Sequence, residues 1–195
     1  MRKLLFLFAF LLVAALPAQD STAYAAIADR LATYAKRSMA WDVDGLLDLT
    51  DPELFEVIPR ESMHRRLSGL RSDENMTVTV SDFTIDDIGE MVPYGKEAFV
   101  PITCHHRMSV TLNTAPYREK SFRDRLTRML QKSHGSGKVR SGEAPHTLIV
   151  EVNKSMFAVR RGTTANWYFI EYRPDNAALL DLLLPPVVRA LVGLE

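Results

Sequence analysis

Two titratable residues interrupt apolar strand patterns in this chain. His106 alternates with Cys104 and Met108, so these three side chains point to one face of a predicted strand. A buried imidazole needs a hydrogen-bond partner to offset its desolvation. His106 therefore fits two roles, a hydrogen-bonded core histidine or a polar group in a binding pocket.

Glu171 is the matching carboxylate on a second predicted strand, where it shares a face with Trp167 and Phe169. If that face lines a pocket, desolvation would raise the pKa of the Glu171 carboxyl and suit acid–base chemistry. At the rim of the sheet the same carboxylate would stay solvated. The predicted ligand-binding pocket residues are Cys104, His106, Met108, Trp167, Phe169 and Glu171.

The residue spacing gives little support to nucleophilic, disulfide or metal chemistry. Cys104 and His106 are two apart on a strand, about 6.5–7 Å, which is too far for a nucleophilic pair. Cys104 is the single cysteine, so no intrachain disulfide can form, and we expect its thiol to be buried and inert. The five histidines lack ligand spacing. We predict no metal site and no cofactor, and we assign no catalytic residue.

Residues 1–18 have the order of a secretory signal peptide. Arg2 and Lys3 precede a run of 13 apolar residues, and the small Ala18 follows. As a helix this run spans about 20 Å, short of the roughly 30 Å hydrocarbon core, so a permanent membrane span is disfavoured. We expect cleavage after Ala18, export to the periplasm or the extracellular space, and one α+β domain over 20–195.

The charge balance does not suggest a nucleic-acid partner. The chain has 24 Lys and Arg against 24 Asp and Glu, and signal removal leaves 22 basic residues. A basic helix is predicted between 118 and 132, where six cations flank an apolar stripe. Glu119 and Asp124 dilute this charge, so the helix face is either solvated or in contact with anionic lipid or polysaccharide.

Helical periodicity dominates the first third of the chain. Apolar residues recur at steps of three and four over 21–39, and shorter helical pieces follow at 43–50 and 59–69. Asp51 is the predicted cap of a helical turn between the two shorter pieces.

A leucine-rich helix is predicted near the C-terminus, over 177–184, with Asp175 as its cap and Pro185 as its end. Its apolar residues occupy more than one side. This segment therefore either caps the sheet or forms a dimer face.

The pattern changes to a period of two after the N-terminal helices, which predicts an antiparallel sheet. The first strand is irregular near Phe83. A flexible loop is expected at 133–137, and a turn at Gly162 joins the last two strands as antiparallel neighbours. The predicted strands are 76–85, 100–112, 147–152, 156–160 and 166–172.

Three segments carry a family resemblance: DGLL at 44–47 with DPELF at 51–55, and the strand NWYFIEY at 166–172 followed by LLLP at 182–185. With the order of elements over nearly the whole mature chain, they resemble the nuclear-transport-factor-2-like (cystatin-like, SnoaL-like) superfamily, and within it small exported bacterial proteins of unassigned function. The resemblance implies N-terminal helices packed on a curved antiparallel sheet, a cone-shaped cystatin-like roll, with a helical insertion and a C-terminal helix.

The resemblance also implies a conical pocket, which the superfamily uses for isomerases, cyclases, dehydratases, binding modules and interaction domains. Fold alone therefore does not select the function. No local motif carries over the acidic base and acidic hydrogen-bond donors of the ketosteroid-isomerase-like members. We therefore favour an exported, non-catalytic module that binds a small apolar ligand or an envelope protein.

Two alternatives stay open. The first is a pocket enzyme of the isomerase or cyclase type, with Glu171 or His106 as general base and Tyr168 or Tyr172 as hydrogen-bond donor. Strand alternation places both tyrosines on the face opposite Glu171, which weakens this hypothesis. The second is a dimerising scaffold in the cell envelope.

Overall fold

Four helices form the N-terminal third of the chain, as its helical periodicity predicts. The computed structural model describes residues 18–172 and 177–191, so the signal peptide up to residue 17 and the predicted cap Asp175 lie outside the described residues. The apolar stripe of the first helix buries Ile27, Leu31 and Tyr34. The helices are α1 (Ala18–Ala40), α2 (Val43–Asp48), α3 (Leu54–Val57) and α4 (Arg60–Arg71).

The strands follow and form one antiparallel sheet of six within the described residues. The long β3 and β5 pair at its centre; β1 and β2 share the outer side of β3, and β4 and β6 share the outer side of β5. The strands are β1 (Met76–Ile88), β2 (Val92–Tyr94), β3 (Glu97–Leu112), β4 (Val139–Ser141), β5 (Thr147–Arg160) and β6 (Tyr168–Tyr172).

Further helices interrupt and follow the sheet. Those between β3 and β4 are α5 (Ala115–Arg118) and α6 (Lys120–His134), and those after β6 are α7 (Ala177–Leu183) and α8 (Pro186–Ala190). The predicted α+β class is therefore confirmed, with N-terminal helices, a curved and unclosed antiparallel sheet, a helical insertion and a C-terminal helix. Within the described ranges, no helix combines the length and the apolar character needed to cross a membrane.

Irregular pairing bends the first strand, as the pattern near Phe83 predicts. The register between β1 and β3 shifts between Ser81 and Thr84 and again between Ile85 and Asp87. Asp82, inside the first shift, has a positive φ of 54°. Such bulges bend a strand and increase its twist, so they contribute to the curvature of the sheet.

Apolar side chains on the two faces of the sheet pack against different helices. One face carries Val100, Met156 and Phe169, which pack with Ile27 and Leu31 of α1. The opposite face packs against the C-terminal helices in a second cluster, whose buried members include Phe99, Phe157, Ile170, Leu180, Leu183 and Val188. Because both faces are covered here, the end of β5 reads as a continuous apolar run rather than an alternating one.

The sequence prediction of two separate strands at 147–152 and 156–160 is wrong, because β5 is continuous. Asn153, Lys154 and Ser155 look like a polar break, yet each pairs with a residue of β3. The short β4 was also missed. It pairs with residues 148–150 of β5, and its three residues are too few to show a periodicity.

The outer edge of β6 is covered by the chain between α2 and α3. Phe169 accepts a hydrogen bond from the backbone of Asp51 at 3.1 Å and donates one to Leu49 at 2.8 Å. This bridge satisfies backbone groups that an open edge strand would expose. It also holds β6, which carries Glu171, against the N-terminal helices.

Candidate functional site

A cavity of about 430 Å³ lies between the N-terminal helices and the sheet. Helices α1, α2, α3, α4 and α7 contribute to its wall, as do β1, β3, β5 and β6. Its apolar lining residues are Leu46, Leu47, Leu54, Ile58, Met63, Leu67, Val80, Phe169 and Leu179. Its polar or amphipathic lining residues are Tyr34, Ser38, Trp41, Thr50, Arg66, His106, Lys154 and Glu171.

Three of the polar side chains form one hydrogen-bonded cluster, which we call the Tyr–Lys–Glu cluster: Tyr34 of α1, Lys154 of β5 and Glu171 of β6. The Lys154 ammonium donates to Glu171 Oε1 at 2.7 Å and to the Tyr34 hydroxyl at 3.1 Å. The Tyr34 hydroxyl donates to the same Oε1. Since Glu171 lies opposite Met156 in the sheet, Lys154 is its diagonal neighbour on the same face.

The members of this cluster control each other's charge. Burial alone would raise the pKa of Glu171, but the Lys154 charge and the hydrogen bonds from Lys154 and Tyr34 outweigh it and hold the pKa below its usual value. Burial would lower the pKa of Lys154, but the Glu171 carboxylate and Tyr34 keep it above the usual range. Burial and the neighbouring carboxylate raise the pKa of Tyr34. At neutral pH the cluster is an ion pair with a neutral phenol.

Solvent reaches this cluster through the cavity. Half of the Glu171 side-chain surface and 18% of the Lys154 side-chain surface are accessible. Tyr34 is buried, at 5% exposure. A molecule in the cavity would therefore contact the carboxylate first and the ammonium second.

His106 lines the same cavity and is buried, with 7% exposure. Its ring stacks on Phe83 with parallel planes and centroids 5.8 Å apart. Burial, followed by the Lys154 charge, lowers the pKa of His106 to about 4, so the imidazole is neutral at pH 7. Its Nδ1 is buried without a hydrogen-bond partner among the described residues. His106 is therefore buried, as predicted, but its Nδ1 lacks the predicted hydrogen bond among the described residues.

The structure brings three of the six predicted pocket residues together at the cavity: His106, Phe169 and Glu171. The other three are not among its described lining residues. Met108 pairs with Val80 and Val150 farther along the sheet. Trp167 is 2% exposed in the core beneath α1.

Cys104 also lies outside the cavity lining, behind the Tyr–Lys–Glu cluster. It is 1% exposed, and its Sγ donates to the Lys154 carbonyl at 3.7 Å. Burial raises the pKa of the thiol to about 11. The residue is a protonated thiol at neutral pH and a poor nucleophile.

Sequence reasoning missed Lys154 and Tyr34. Lys154 occupies an inward position between Val152 and Met156, so an unbroken alternation through β5 would have placed its charge on the apolar face. Tyr34 was counted as part of the apolar stripe of α1, and its hydroxyl gave no separate signal. The contact of α1 with β5 and β6 cannot be predicted from the sequence of any one of these elements.

A second charged cluster, whose members are not among the described lining residues of the cavity, holds chain segments together. The Arg161 guanidinium lies 2.7 Å from Asp51 and 3.1 Å from both Glu53 and Glu97. It also donates to the Leu183 carbonyl at 3.0 Å. Asp51, predicted as a helix cap, is fully buried. The Glu53 amide donates to it at 3.4 Å, which is longer than the 2.7 Å hydrogen bond from Arg161. This cluster is structural, because its groups satisfy each other.

Another depression, of about 520 Å³ and open to the surface, is lined by charges of both signs, with Arg60 and Asp44 among them. Arg60 and Asp44 lie 3.8 Å apart, and Arg60 also pairs with Asp48 at 2.8 Å. Among residues 18–172 and 177–191, no three His, Cys, Asp or Glu side chains are grouped so that they could hold a metal ion.

Comparison with known proteins finds no family model that matches the chain and no curated protein with significant sequence similarity to it. The cavity and the groups that line it are therefore the features that indicate a function.

Proposed function

We propose that this protein is an exported, non-catalytic module that binds a small, mostly apolar ligand in the cavity between its N-terminal helices and its sheet. The observation that carries the proposal is a cavity of about 430 Å³ with mainly apolar walls and one converging polar cluster. This combination is typical of small-molecule sites, where apolar walls bind the body of the ligand and a few polar groups fix its orientation.

The acid–base properties of the cavity favour binding over the isomerase or cyclase alternative. Glu171 is held as a carboxylate of lowered pKa by Lys154 and Tyr34, which makes it a weak base. His106, with a pKa of about 4, is a weak base as well. General bases in enzymes have pKa values near the working pH.

The curved sheet under N-terminal helices supports the proposed relationship to the nuclear-transport-factor-2-like superfamily, whose members use a pocket in this position. Export is the second part of the proposal, and the signal-like residues 1–18 support it. N-terminal sequencing of the protein recovered from the envelope or the medium tests it. A chain that still begins at Met1 would contradict export by cleavage.

Tryptophan fluorescence provides a direct binding assay. The chain has two tryptophans, of which Trp41 lines the cavity and Trp167 is buried in the core. In a Trp167→Phe background, titration with decanol should change the Trp41 emission saturably. Native mass spectrometry of protein purified from its own host should show a retained small molecule that denaturation releases.

A matched pair of substitutions locates the site. Ser38→Phe places a ring in the cavity and should weaken decanol binding by about tenfold or more. Thr33→Phe adds the same ring to an exposed position of the same helix and should leave affinity unchanged. Equal binding by both variants, or no saturable signal in the parent, would contradict the proposed site.

A dimerising scaffold is the second candidate, and one observation favours it. Leu182, Val187 and Leu191 expose 67%, 50% and 56% of their surface near the C-terminus. Exposed apolar side chains grouped on one segment are typical of association surfaces. Sedimentation velocity over a range of concentrations separates the candidates, since a monomer at micromolar concentration would remove this one.

A further inference from the structure

We propose that the cavity selects an uncharged ligand with a hydroxyl group on an apolar body, such as a long-chain or polycyclic alcohol. This inference rests on the proposed binding function and specifies the chemistry of the polar end of the ligand. It follows from the charges of the Tyr–Lys–Glu cluster and from the hydrogen-bonding capacity that the cluster leaves unused.

The cluster has no net charge to offer a charged ligand. Lys154 and Glu171 compensate each other at 2.7 Å, and His106 is neutral. A ligand carboxylate that approached Lys154 would also meet the Glu171 carboxylate, and a ligand ammonium that approached Glu171 would meet Lys154. Either ion would lose its hydration without an unopposed partner, which is costly in a cavity with apolar walls.

One further charge lies on the cavity wall within the described residues, the guanidinium of Arg66 on α4. Arg66 is exposed to solvent. Water and salt screen an exposed charge. Arg66 therefore attracts anions less than its formal charge suggests, and the Lys154–Glu171 ion pair sets the preference inside the cavity.

The hydrogen bonds within the cluster leave one donor and one acceptor. An ammonium has three protons, and the described contacts of Lys154 use two of them, to Glu171 and to Tyr34. Both hydrogen bonds that Glu171 receives from described residues reach Oε1, so Oε2 keeps its capacity to accept. A hydroxyl accepts from the ammonium and donates to the carboxylate at once, whereas a carboxylate only accepts and an ammonium only donates.

Isothermal titration calorimetry at pH 7 with four probes of equal chain length tests this inference: decanol and decane below their solubility limits, and decanoate and decylamine below their micellar concentrations. Decanol should bind about tenfold or more tightly than each of the others. Preferred binding of decanoate, decylamine or decane would overturn the inference and leave the binding function in place. Failure of all four probes to bind would contradict the binding function itself.

Two charge variants should reverse the selectivity. Lys154→Met leaves the Glu171 carboxylate without its cation and should make decylamine the best probe. Glu171→Gln leaves the Lys154 ammonium without its anion and should favour decanoate. Lys36→Met removes an exposed cation of α1 and serves as the control, with unchanged selectivity. Unchanged selectivity in both charge variants would overturn the inference.

The double variant Lys154→Met/Glu171→Gln keeps the test valid if a lone buried charge prevents folding. With both charges removed, the preference for decanol over decane should fall several-fold, because the donor and the acceptor for the hydroxyl are weakened together. Thermal melting identifies the variants that are folded. A decanol preference equal to that of the parent in the folded double variant would overturn the inference.

Discussion

At the scale of single residues, His106 shows how burial changes an ordinary side chain. Strand alternation places it on the inner face beside Cys104, and packing then surrounds it with Phe83 and the Lys154 charge. Its ring stays neutral because protonation would put a second cation beside Lys154 in a desolvated site. The stability of the fold should therefore depend on pH through this residue.

The free energy of unfolding should fall by about 3 kcal/mol as pH drops from 7 to 4 because of His106. The unfolded chain has a histidine pKa of 6.5 and the folded chain about 4, so the unfolded state binds the extra proton between these values. This contribution of His106 to stability is complete above its pKa in the unfolded chain, 6.5. It is lost as the pH falls toward its pKa in the folded chain, about 4. Urea denaturation at a series of pH values measures it.

Two variants make this pH test specific. His106→Phe keeps a flat ring against Phe83 and should remove most of the slope between pH 4 and 6.5. His105→Gln changes the neighbouring histidine, which is on the outer face beside Asp86, and should leave most of the slope intact. Equal slopes in the parent and in His106→Phe would show that other groups cause the pH dependence.

At the scale of elements, β5 and α7 show what local patterns can and cannot predict. The polar residues 153–155 suggested a break in β5, but Asn153 and Ser155 turn to the outer face while Lys154 turns into the cavity. Strand β3 supplies partners for all three residues, so pairing overrides the local pattern. In α7, apolar residues occupy more than one side, and only packing shows which of them are buried.

A matched pair of leucines in α7 should separate buried from exposed positions. Leu180 is fully buried beneath the sheet, and Leu182 is 67% exposed. Leu180→Ala should lower the free energy of unfolding by about 2–5 kcal/mol, because it leaves a cavity in the core. Leu182→Ala should change it by less than about 0.5 kcal/mol. Chemical denaturation of both variants measures the difference, and equal losses would contradict this docking of α7.

At the scale of the whole molecule, Arg161 connects its own segment, after β5, to three other parts of the chain. Its guanidinium contacts Asp51 and Glu53 between α2 and α3, Glu97 at the start of β3 and the Leu183 carbonyl at the end of α7. Only 15% of its side chain is exposed, and Asp51 is fully buried. Each of these charges therefore depends on the other for compensation.

Arg161→Met should lower the free energy of unfolding by about 3–5 kcal/mol, because it leaves the Asp51 carboxylate buried without its cation. The double variant Asp51→Asn/Arg161→Met should recover part of this loss. Lys120→Ala, which breaks an exposed pair with Asp124, should cost less than about 1 kcal/mol. Urea denaturation compares the three, and a small loss in Arg161→Met would show that Asp51 finds compensation elsewhere.

The sequence by itself predicts what depends on neighbouring residues along the chain. Helical steps identify α1 and α4, alternation identifies β1 and β3, and alternation also places His106 and Glu171 on the same strand faces as apolar residues. The signal peptide is a prediction of the same local kind. The α+β class followed from the order of these elements, and the structure confirms it.

Only the tertiary structure shows which inner residues meet. Tyr34 is 120 residues from Lys154 and 137 from Glu171, yet the three share hydrogen bonds. Their contact depends on the pairing of β5 with β6 and on the position of α1 over both strands, which no local pattern encodes. For the same reason, the sequence predicted a raised pKa for Glu171 if it lay in a pocket, whereas the structure pairs it with Lys154 and lowers that pKa. The effect of burial on a charge depends on which partner is buried with it.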